Sequence, residues 1–129
     1  MPYKVEKIPG EPVLVFTLWG TFELLEDQEK ISQEISDLIK DIDGSYFMID
    51  DYSGIVNVNF GDMIAVMAEQ TKRNLPGSIT DPRAKHVLVG SNAMIDFAAK
   101  SFNQPQYGGF TMPMYTSLDE ALAYVRSQK

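Results

Sequence analysis

The chain has 129 residues, a formal net charge of −7 and no cysteine. This length suits a single domain over residues 1–129 with its own core. The absence of thiols excludes disulfides, thiolate nucleophiles and cysteine-bound metals. An acidic chain repels phosphate backbones, which argues against nucleic-acid binding. No apolar run reaches the length of a signal peptide or a membrane span, so we expect a cytoplasmic protein.

Two strands are predicted at the start of the chain. Tyr3, Val5 and Ile8 are the apolar members of an alternating segment, and residues 13–20 form a β-branched and aromatic run. The segment PGEP at 9–12 lies between them and must turn, because proline cannot donate to a strand ladder. We therefore expect a hairpin whose second strand is buried on both faces.

Four later segments show the spacing of amphipathic helices. In the first segment, the apolar residues Ile31, Ile35, Leu38 and Ile42 fall on one stripe, and the first turn is acidic, as the helix dipole favours. The same periodicity marks three segments further along the chain. The predicted helices cover residues 25–41, 60–75, 91–102 and a last segment from 117 onward.

Capping residues mark several of these helix ends. Gly44 follows the first predicted helix and is a typical stop residue. Ser91 or Asn92 can cap the third helix, because either side chain accepts a hydrogen bond from a free amide. The spacing Ser117-x-x-Glu120 is that of a capping box at the start of the last helix.

Three further strands are predicted at residues 45–50, 85–90 and 110–115. Pro113 cannot donate a hydrogen bond, so the last of them should lie at a sheet edge. The predicted order is ββαβαβαβα, with about four helices. Strands that alternate with helices indicate an α/β domain with a mostly parallel sheet, which the opening hairpin makes mixed.

This order of strands and helices resembles that of the STAS domain family, which has the SpoIIAA-like fold of anti-sigma-factor antagonists. Three segments of the sequence also resemble segments of that family. The segments are VLVFTLWGTFELLEDQEKISQEI, with Gly20 at the family's glycine, IDDYSGIVNVNFGDMIAVM, and YTSLDEALAYVRSQ. The last of them is similar to a divergent and largely uncharacterised SpoIIAA-like branch. The resemblance covers nearly the whole chain and implies a protein-interaction module with regulatory function.

The sequence departs from the family at its regulatory position. The family has an aspartate at the end of the central strand, a Ser-Gly-like step, and then Asp-Ser-Ser-Gly at a helix start, where a serine accepts phosphate. Asp51, Ser53 and Gly54 fit the first part, but Asn59-Phe60-Gly61-Asp62 stands at the second. Phe60 and Gly61 carry no hydroxyl, so the resemblance implies a member without the phosphorylation switch.

The candidate binding surface lies where the parallel strands end, because ligands of open α/β sheets bind beyond the carboxyl ends of the strands. Residues 52–62, 90–92 and 115–117 satisfy that rule, and two of these segments precede helices with free amides. The candidate binding residues are Asp51, Ser53, Gly54, Asn57, Asn59, Phe60, Asp62, Ser91 and Asn92.

Catalytic and metal sites find less support. Asp50 and Asp51 are neighbours on a strand and point to opposite faces, so they cannot readily share a proton or an ion. Asp51, Asn57, Asn59 and Asp62 offer oxygens for a hard cation, but their spacing matches no calcium loop, and helix capping by Asn59 or Asp62 is favoured. His86, the only histidine, completes no evident triad and is expected to be structural. We predict no catalytic residue, metal or cofactor.

Three functions remain to be distinguished. The first is a non-catalytic module that binds a protein partner, or a second copy as a homodimer. The second is a small-molecule or lipid carrier lined by the Met, Phe and Tyr residues of the second and third predicted helices. The third is a hydrolase that uses Ser53 or Ser91, which lacks an evident base. Trp19 fits either the core or an interface.

Overall fold

Five strands form one sheet, and their order across the sheet is the same as their order along the chain. The structure, a computed structural model, describes residues 3–21, 28–57, 77, 81–102 and 112–128. In chain order the elements are β1 (Tyr3–Lys7), β2 (Val13–Thr21), α1 (Gln28–Ile39), β3 (Tyr46–Asn57), β4 (Ala84–Val89), α2 (Asn92–Phe102), β5 (Met114–Tyr115) and α3 (Leu118–Ser127). The predicted helix over 60–75 lies outside the described residues.

The sheet is mixed, as predicted. β1 is antiparallel to β2, and the neighbours β2–β3, β3–β4 and β4–β5 are parallel. β5 lies at an edge, which confirms the position inferred from Pro113. The carbonyl of Pro113 accepts a hydrogen bond from the Leu88 amide at 3.0 Å, so the proline contributes its acceptor where it has no donor. β5 is shorter than the predicted strand over 110–115.

Each face of the sheet carries its own core. Leu14, Phe16 and Leu18 of β2 pack with the buried isoleucines of α1 on one side, which we call the α1 face. Val13 of β2 packs with residues of α3 on the other side, the α3 face. Successive residues of a strand point to opposite sides, and β2 is apolar at both sets of positions. The prediction of a second strand buried on both faces is therefore confirmed for the first part of β2, whereas Trp19 near its end is exposed.

Of the capping residues identified in the sequence, Ser117 is confirmed by its hydrogen bond. Ser117 has extended backbone angles and its hydroxyl accepts a hydrogen bond from the Glu120 amide at 3.2 Å, which confirms it as the N-cap of α3. α1 ends at Ile39, and Gly44 follows with φ of +81°. α2 begins at Asn92, directly after Ser91. No helix in the described part of the chain is long and apolar enough to span a membrane.

The amino ends of β3 and β4 are joined by a group of hydrogen bonds around Asp81. The Asp81 carboxylate accepts from the Tyr46 hydroxyl at 3.0 Å, the Gly77 amide at 2.8 Å and the Arg83 amide at 3.0 Å. The Arg83 side chain donates to the carbonyls of Ile42 at 2.7 Å and Gly44 at 2.8 Å. We call Tyr46, Gly77, Asp81 and Arg83 the Asp81 cluster. It ties the chain before β4 to the start of β3.

The pKa values of the Asp81 cluster reflect these contacts. Burial raises the pKa of Tyr46, and its hydrogen bond to Asp81 raises it further. Burial alone would raise the pKa of Asp81, but the hydrogen bonds from Gly77, Arg83 and Tyr46 together hold it below its ordinary value. The cluster therefore favours a charged Asp81 beside a neutral Tyr46.

β3 is longer than the sequence predicted. The strand expected over 45–50 continues to Asn57, and Ser53 and Gly54 lie within it rather than in a turn. The continuation pairs with the end of β2, where Trp19 lies opposite Gly54 and Thr21 opposite Asn57. Ser53 and Gly54 are tolerated in the strand because the pairing of β3 with β2 is irregular at this point.

Candidate functional site

The carboxyl ends of β2, β3 and β4 meet at one end of the sheet, which we call the rim. Asp51 of β3 pairs with Val89 of β4, and Thr17 of β2 pairs with Asp51 from the other side. β3 then continues through Ser53, while β4 ends and leads to Ser91. The described members of the rim are Trp19, Asp51, Ser53, Gly54, Ser91 and Asn92.

Two bulges shape the rim, and both lie in β3. Between Thr17 and Trp19 the chain of β2 advances by two residues, while β3 advances by three, from Asp51 to Gly54. A second extra residue follows between Ile55 and Asn57. A bulge shifts the alternation of side chains by one position. For this reason Tyr52 and Ile55, three residues apart, both pack on the α1 face, while Ser53 and Gly54 between them are exposed.

Trp19 and Gly54 are in close contact at the first bulge. A β-carbon added at Gly54 would lie 2.9 Å from the β-carbon of Trp19, which is closer than two such carbons approach in proteins. Glycine is therefore required for this approach of the two strands. The Trp19 side chain is 41% exposed, the largest exposed hydrophobic group among the residues that the structure describes.

Asp51 fixes the conformation of Ser53. Its Oδ1 atom accepts hydrogen bonds from the Ser53 hydroxyl at 2.6 Å and from the Ser53 amide at 3.1 Å. Aspartate commonly accepts an amide two residues further along a turn or bulge. Asp51 is only 9% exposed, so these two donors help to satisfy its charge. Asp51 therefore acts locally, as the acceptor for the amide and hydroxyl of the bulge.

The other predicted binding residues are only partly described. Ser91 and Asn92 are exposed at the start of α2, and the Ser91 carbonyl accepts the Ile95 amide at 2.9 Å. Asn57 is placed as the last residue of β3, opposite Thr21. Asn59, Phe60 and Asp62 lie outside the described residues. The structure thus brings Asp51, Ser53 and Gly54 together, and the role of the set in binding stays a prediction.

A partly buried pair that the sequence did not reveal lies beside the rim. His86 of β4 and Asp50 of β3 contact each other through Nδ1 and Oδ2 at 2.6 Å, and their side chains are only 11% and 13% exposed. His86 lies opposite Met48 in the parallel register, so Asp50 is two residues further along on the same face of the sheet. The expectation of a structural histidine agrees with this buried contact.

Tyr52 extends this polar group into the core of the α1 face. Its ring lies edge-on to Phe16, with 6.5 Å between centroids. Burial, and then the neighbouring Asp50 carboxylate, raise the pKa of Tyr52 well above its ordinary value. The phenol therefore stays protonated. Asp50 belongs to this group and Asp51 to the exposed bulge, so the two neighbouring aspartates do act on opposite faces.

These contacts separate the Ser53 hydroxyl from the imidazole of His86. A histidine held by a carboxylate supplies two of the three groups of a hydrolytic triad, which also needs a serine hydroxyl at the imidazole. The Ser53 hydroxyl is instead bonded to Asp51, and Ser53 is exposed while the His86 side chain is only 11% exposed. Within the described ranges, no group of three or more His, Asp or Glu side chains could hold a metal. The lining proposed for a carrier lies partly on residues 60–75, outside those ranges.

Comparison with known proteins gave matches among solved structures alone: no protein-family model and no curated protein matches the sequence. An anti-sigma factor antagonist from Mycobacterium paratuberculosis is similar over 97% of this chain and 93% of its own, with a TM-score of 0.52 and 19% identity. An uncharacterized protein of the DUF3478 family, with a SpoIIAA-like fold, from Shewanella loihica PV-4 is similar over 96% and 92%, with a TM-score of 0.60 and 13% identity. Similarity over almost the whole length at such low identity establishes the architecture. The chain therefore has the SpoIIAA-like fold that its sequence predicted.

Proposed function

We propose that this domain is a non-catalytic regulatory module that binds a protein partner at the rim. One of the two solved structures of similar fold is an anti-sigma factor antagonist, and an antagonist of a protein factor acts on a protein. The acidic composition favours a protein partner over nucleic acid. Fold alone does not define function, so the proposal rests mainly on the rim itself.

The exposed Trp19 is the observation that carries this proposal. Tryptophan is enriched at the energetic centres of protein interfaces, because it combines a large apolar surface with one hydrogen-bond donor. Trp19 lies directly opposite Gly54 of β3, and exposed polar residues, including Ser53, Ser91 and Asn92, belong to the same rim. An apolar centre with polar groups around it is the usual composition of a binding surface.

We further propose that phosphorylation does not control this surface. The residues at the family's regulatory position, Phe60 and Gly61, have no hydroxyl. Ser53 is nearby in the sequence, but its hydroxyl donates to the Asp51 carboxylate at 2.6 Å. A phosphate at Ser53 would bring like charges together and break that bond. Intact-mass analysis of the protein purified from its native cells should show no phosphate, and a phosphorylated fraction would contradict this part of the proposal.

Site-specific photo-crosslinking tests the binding surface. A photoreactive amino acid in place of Ser53 should capture a partner in native lysate. The same group in place of Asp43, an exposed residue near the amino ends of the strands, is the matched control. Trp19→Ala should abolish the capture at Ser53, because it removes the apolar centre of the rim. Equal capture from both positions, or capture that survives Trp19→Ala, would exclude the rim as the binding surface.

A further inference from the structure

The outer edge of β1 has no strand partner among the described residues, where β1 pairs with β2 alone. The Ile8 amide donates to the Val13 carbonyl at 2.9 Å, and Ile8 lies opposite Val13 in the continued register of β1 and β2. Backbone groups in an antiparallel pair alternate in direction. Glu6 and Lys4 therefore direct their amides and carbonyls towards β2, and Tyr3, Val5 and Lys7 direct theirs outward.

Side chains of β1 divide cleanly between the two faces of the sheet. Tyr3 and Val5 pack on the α1 face, where the Tyr3 hydroxyl donates to Glu34 of α1 at 3.2 Å. Lys4 and Glu6 lie on the opposite face and are 55% and 61% exposed, with 3.5 Å between the Lys4 ammonium and the Glu6 carboxylate. The outer edge of β1 thus carries one positive and one negative exposed side chain, placed symmetrically about Val5.

We propose that β1 is a homodimerisation edge, on which β1 of a second copy pairs in antiparallel orientation with Val5 opposite Val5. In this register the outward amides and carbonyls of Tyr3, Val5 and Lys7 meet their counterparts in the other copy. Lys4 of each copy then lies opposite Glu6 of the other. The arrangement has a two-fold axis and closes on itself, as an isologous dimer does.

Charge selects this register over its neighbours. A slide by two residues in one direction places Lys4 opposite Lys4, and a slide in the other direction places Glu6 opposite Glu6. Like charges directly opposite each other destabilise a strand pair, whereas opposite charges stabilise it. A lone edge lysine protects a sheet from pairing, but the order Lys-Val-Glu supplies its own counter-charge to a second copy.

The proposed dimer leaves the rim accessible and does not rest on the proposed function. The two-fold axis makes the β2 strands of the two copies antiparallel across a continuous sheet. Their rims, each with Trp19, then lie at opposite ends of the assembly. Loss of the dimer and loss of partner binding are therefore separate outcomes. Sedimentation velocity measures the first, and photo-crosslinking measures the second.

Sedimentation velocity over a concentration series tests the dimer. The wild-type protein should shift from the 14.5 kDa monomer towards twice that mass. Lys4→Glu and Glu6→Lys each convert both cross-strand attractions into repulsions and should weaken association by about tenfold or more. The double variant with both changes restores opposite charges and should restore the dimer. Lys100→Glu, the same charge change on α2, should leave association unaltered.

Disulfide trapping tests the register directly, because the chain contains no other cysteine. Lys4 and Glu6 of the two copies form a non-hydrogen-bonded pair, with about 4.5 Å between Cα atoms, which suits a disulfide. A mixture of the Lys4→Cys and Glu6→Cys proteins should therefore oxidise mainly to the mixed dimer. A wild-type protein that stays monomeric, a dimer unaffected by the single charge reversals, or a mixture without preferential mixed disulfide would overturn the proposal.

Discussion

The two ends of the sheet use the same local motif with different results. At the amino end, Asp81 accepts the amide of Arg83, and at the rim, Asp51 accepts the amide of Ser53, each two residues further along. Asp81 also accepts hydrogen bonds from the Gly77 amide and from the hydroxyl of Tyr46, which lies 35 positions away in the chain. The hydrogen bonds from Ser53 to Asp51 are local and shape one bulge.

This difference separates a structural end from a candidate binding end. The Asp81 cluster joins three segments and places an arginine 5.7 Å from the centre of the Tyr46 ring. The rim instead leaves Trp19 exposed beside Gly54. We infer that substitutions at the amino end lower stability most, and that substitutions at the rim lower it less and act mainly on binding.

Asp81→Ala should have the largest effect. It leaves three donors without their acceptor, including the buried Tyr46 hydroxyl, and should lower the free energy of unfolding by about 3 kcal/mol. Urea denaturation measures this change. Asp43→Ala, which removes an exposed aspartate close in sequence to the start of β3, is the control and should change stability by less than about 0.5 kcal/mol. If the two variants were equally stable, the cluster would not hold the amino end together.

Acid should weaken the amino end through the same carboxylate. The pKa of Asp81 is lowered in the folded state, so its charged form contributes stability that is fully present above the unfolded-state pKa of about 4. That contribution is lost as pH falls through the lower, folded-state pKa. The stability advantage of wild type over Asp81→Asn should therefore be constant near neutral pH and shrink under acid. An advantage that grew on acidification would contradict the lowered pKa.

Much of the fold could be predicted because its signals are local. The hairpin follows from the turn at 9–12, the edge position of β5 from Pro113, and the start of α3 from Ser117. The length of β3 could not be predicted in this way. Ser53 and Gly54 favour a turn by composition, and only pairing with Trp19 and the following residues of β2 keeps them in a strand.

Part of the candidate site could also be predicted from local signals in the sequence. Asp51, Ser53 and Gly54 are neighbours in the sequence, and their grouping needs no tertiary information. The contact between Asp50 and His86 joins residues 36 positions apart, and only the register of β3 and β4 brings them together. The exposure of Trp19 likewise depends on a bulge in the neighbouring strand, which explains why sequence reasoning left its role open.

Gly54→Ala tests whether the rim depends on close packing. The added β-carbon would meet that of Trp19 at 2.9 Å, and the strands must separate slightly, at a cost of about 1–2 kcal/mol. The emission of Trp19, the only tryptophan, should shift at the same time. In a double-mutant cycle with Trp19→Gly, which removes the opposing β-carbon, the cost should fall. Additive effects would show that Gly54 is required for another reason.

Ser53→Ala should have the smallest effect on stability. It removes one hydrogen bond, from the hydroxyl to Asp51, while the Ser53 amide at 3.1 Å still satisfies the same carboxylate oxygen. The exposed position should limit the loss to about 0.5–1 kcal/mol, measured by urea denaturation. Ser53→Thr keeps the hydroxyl and a side chain suited to a strand, so it should retain wild-type stability. A loss as large as that of Asp81→Ala would mean that the Asp51 hydrogen bonds also support distant elements, and that the rim is as much a structural end as the amino side of the sheet.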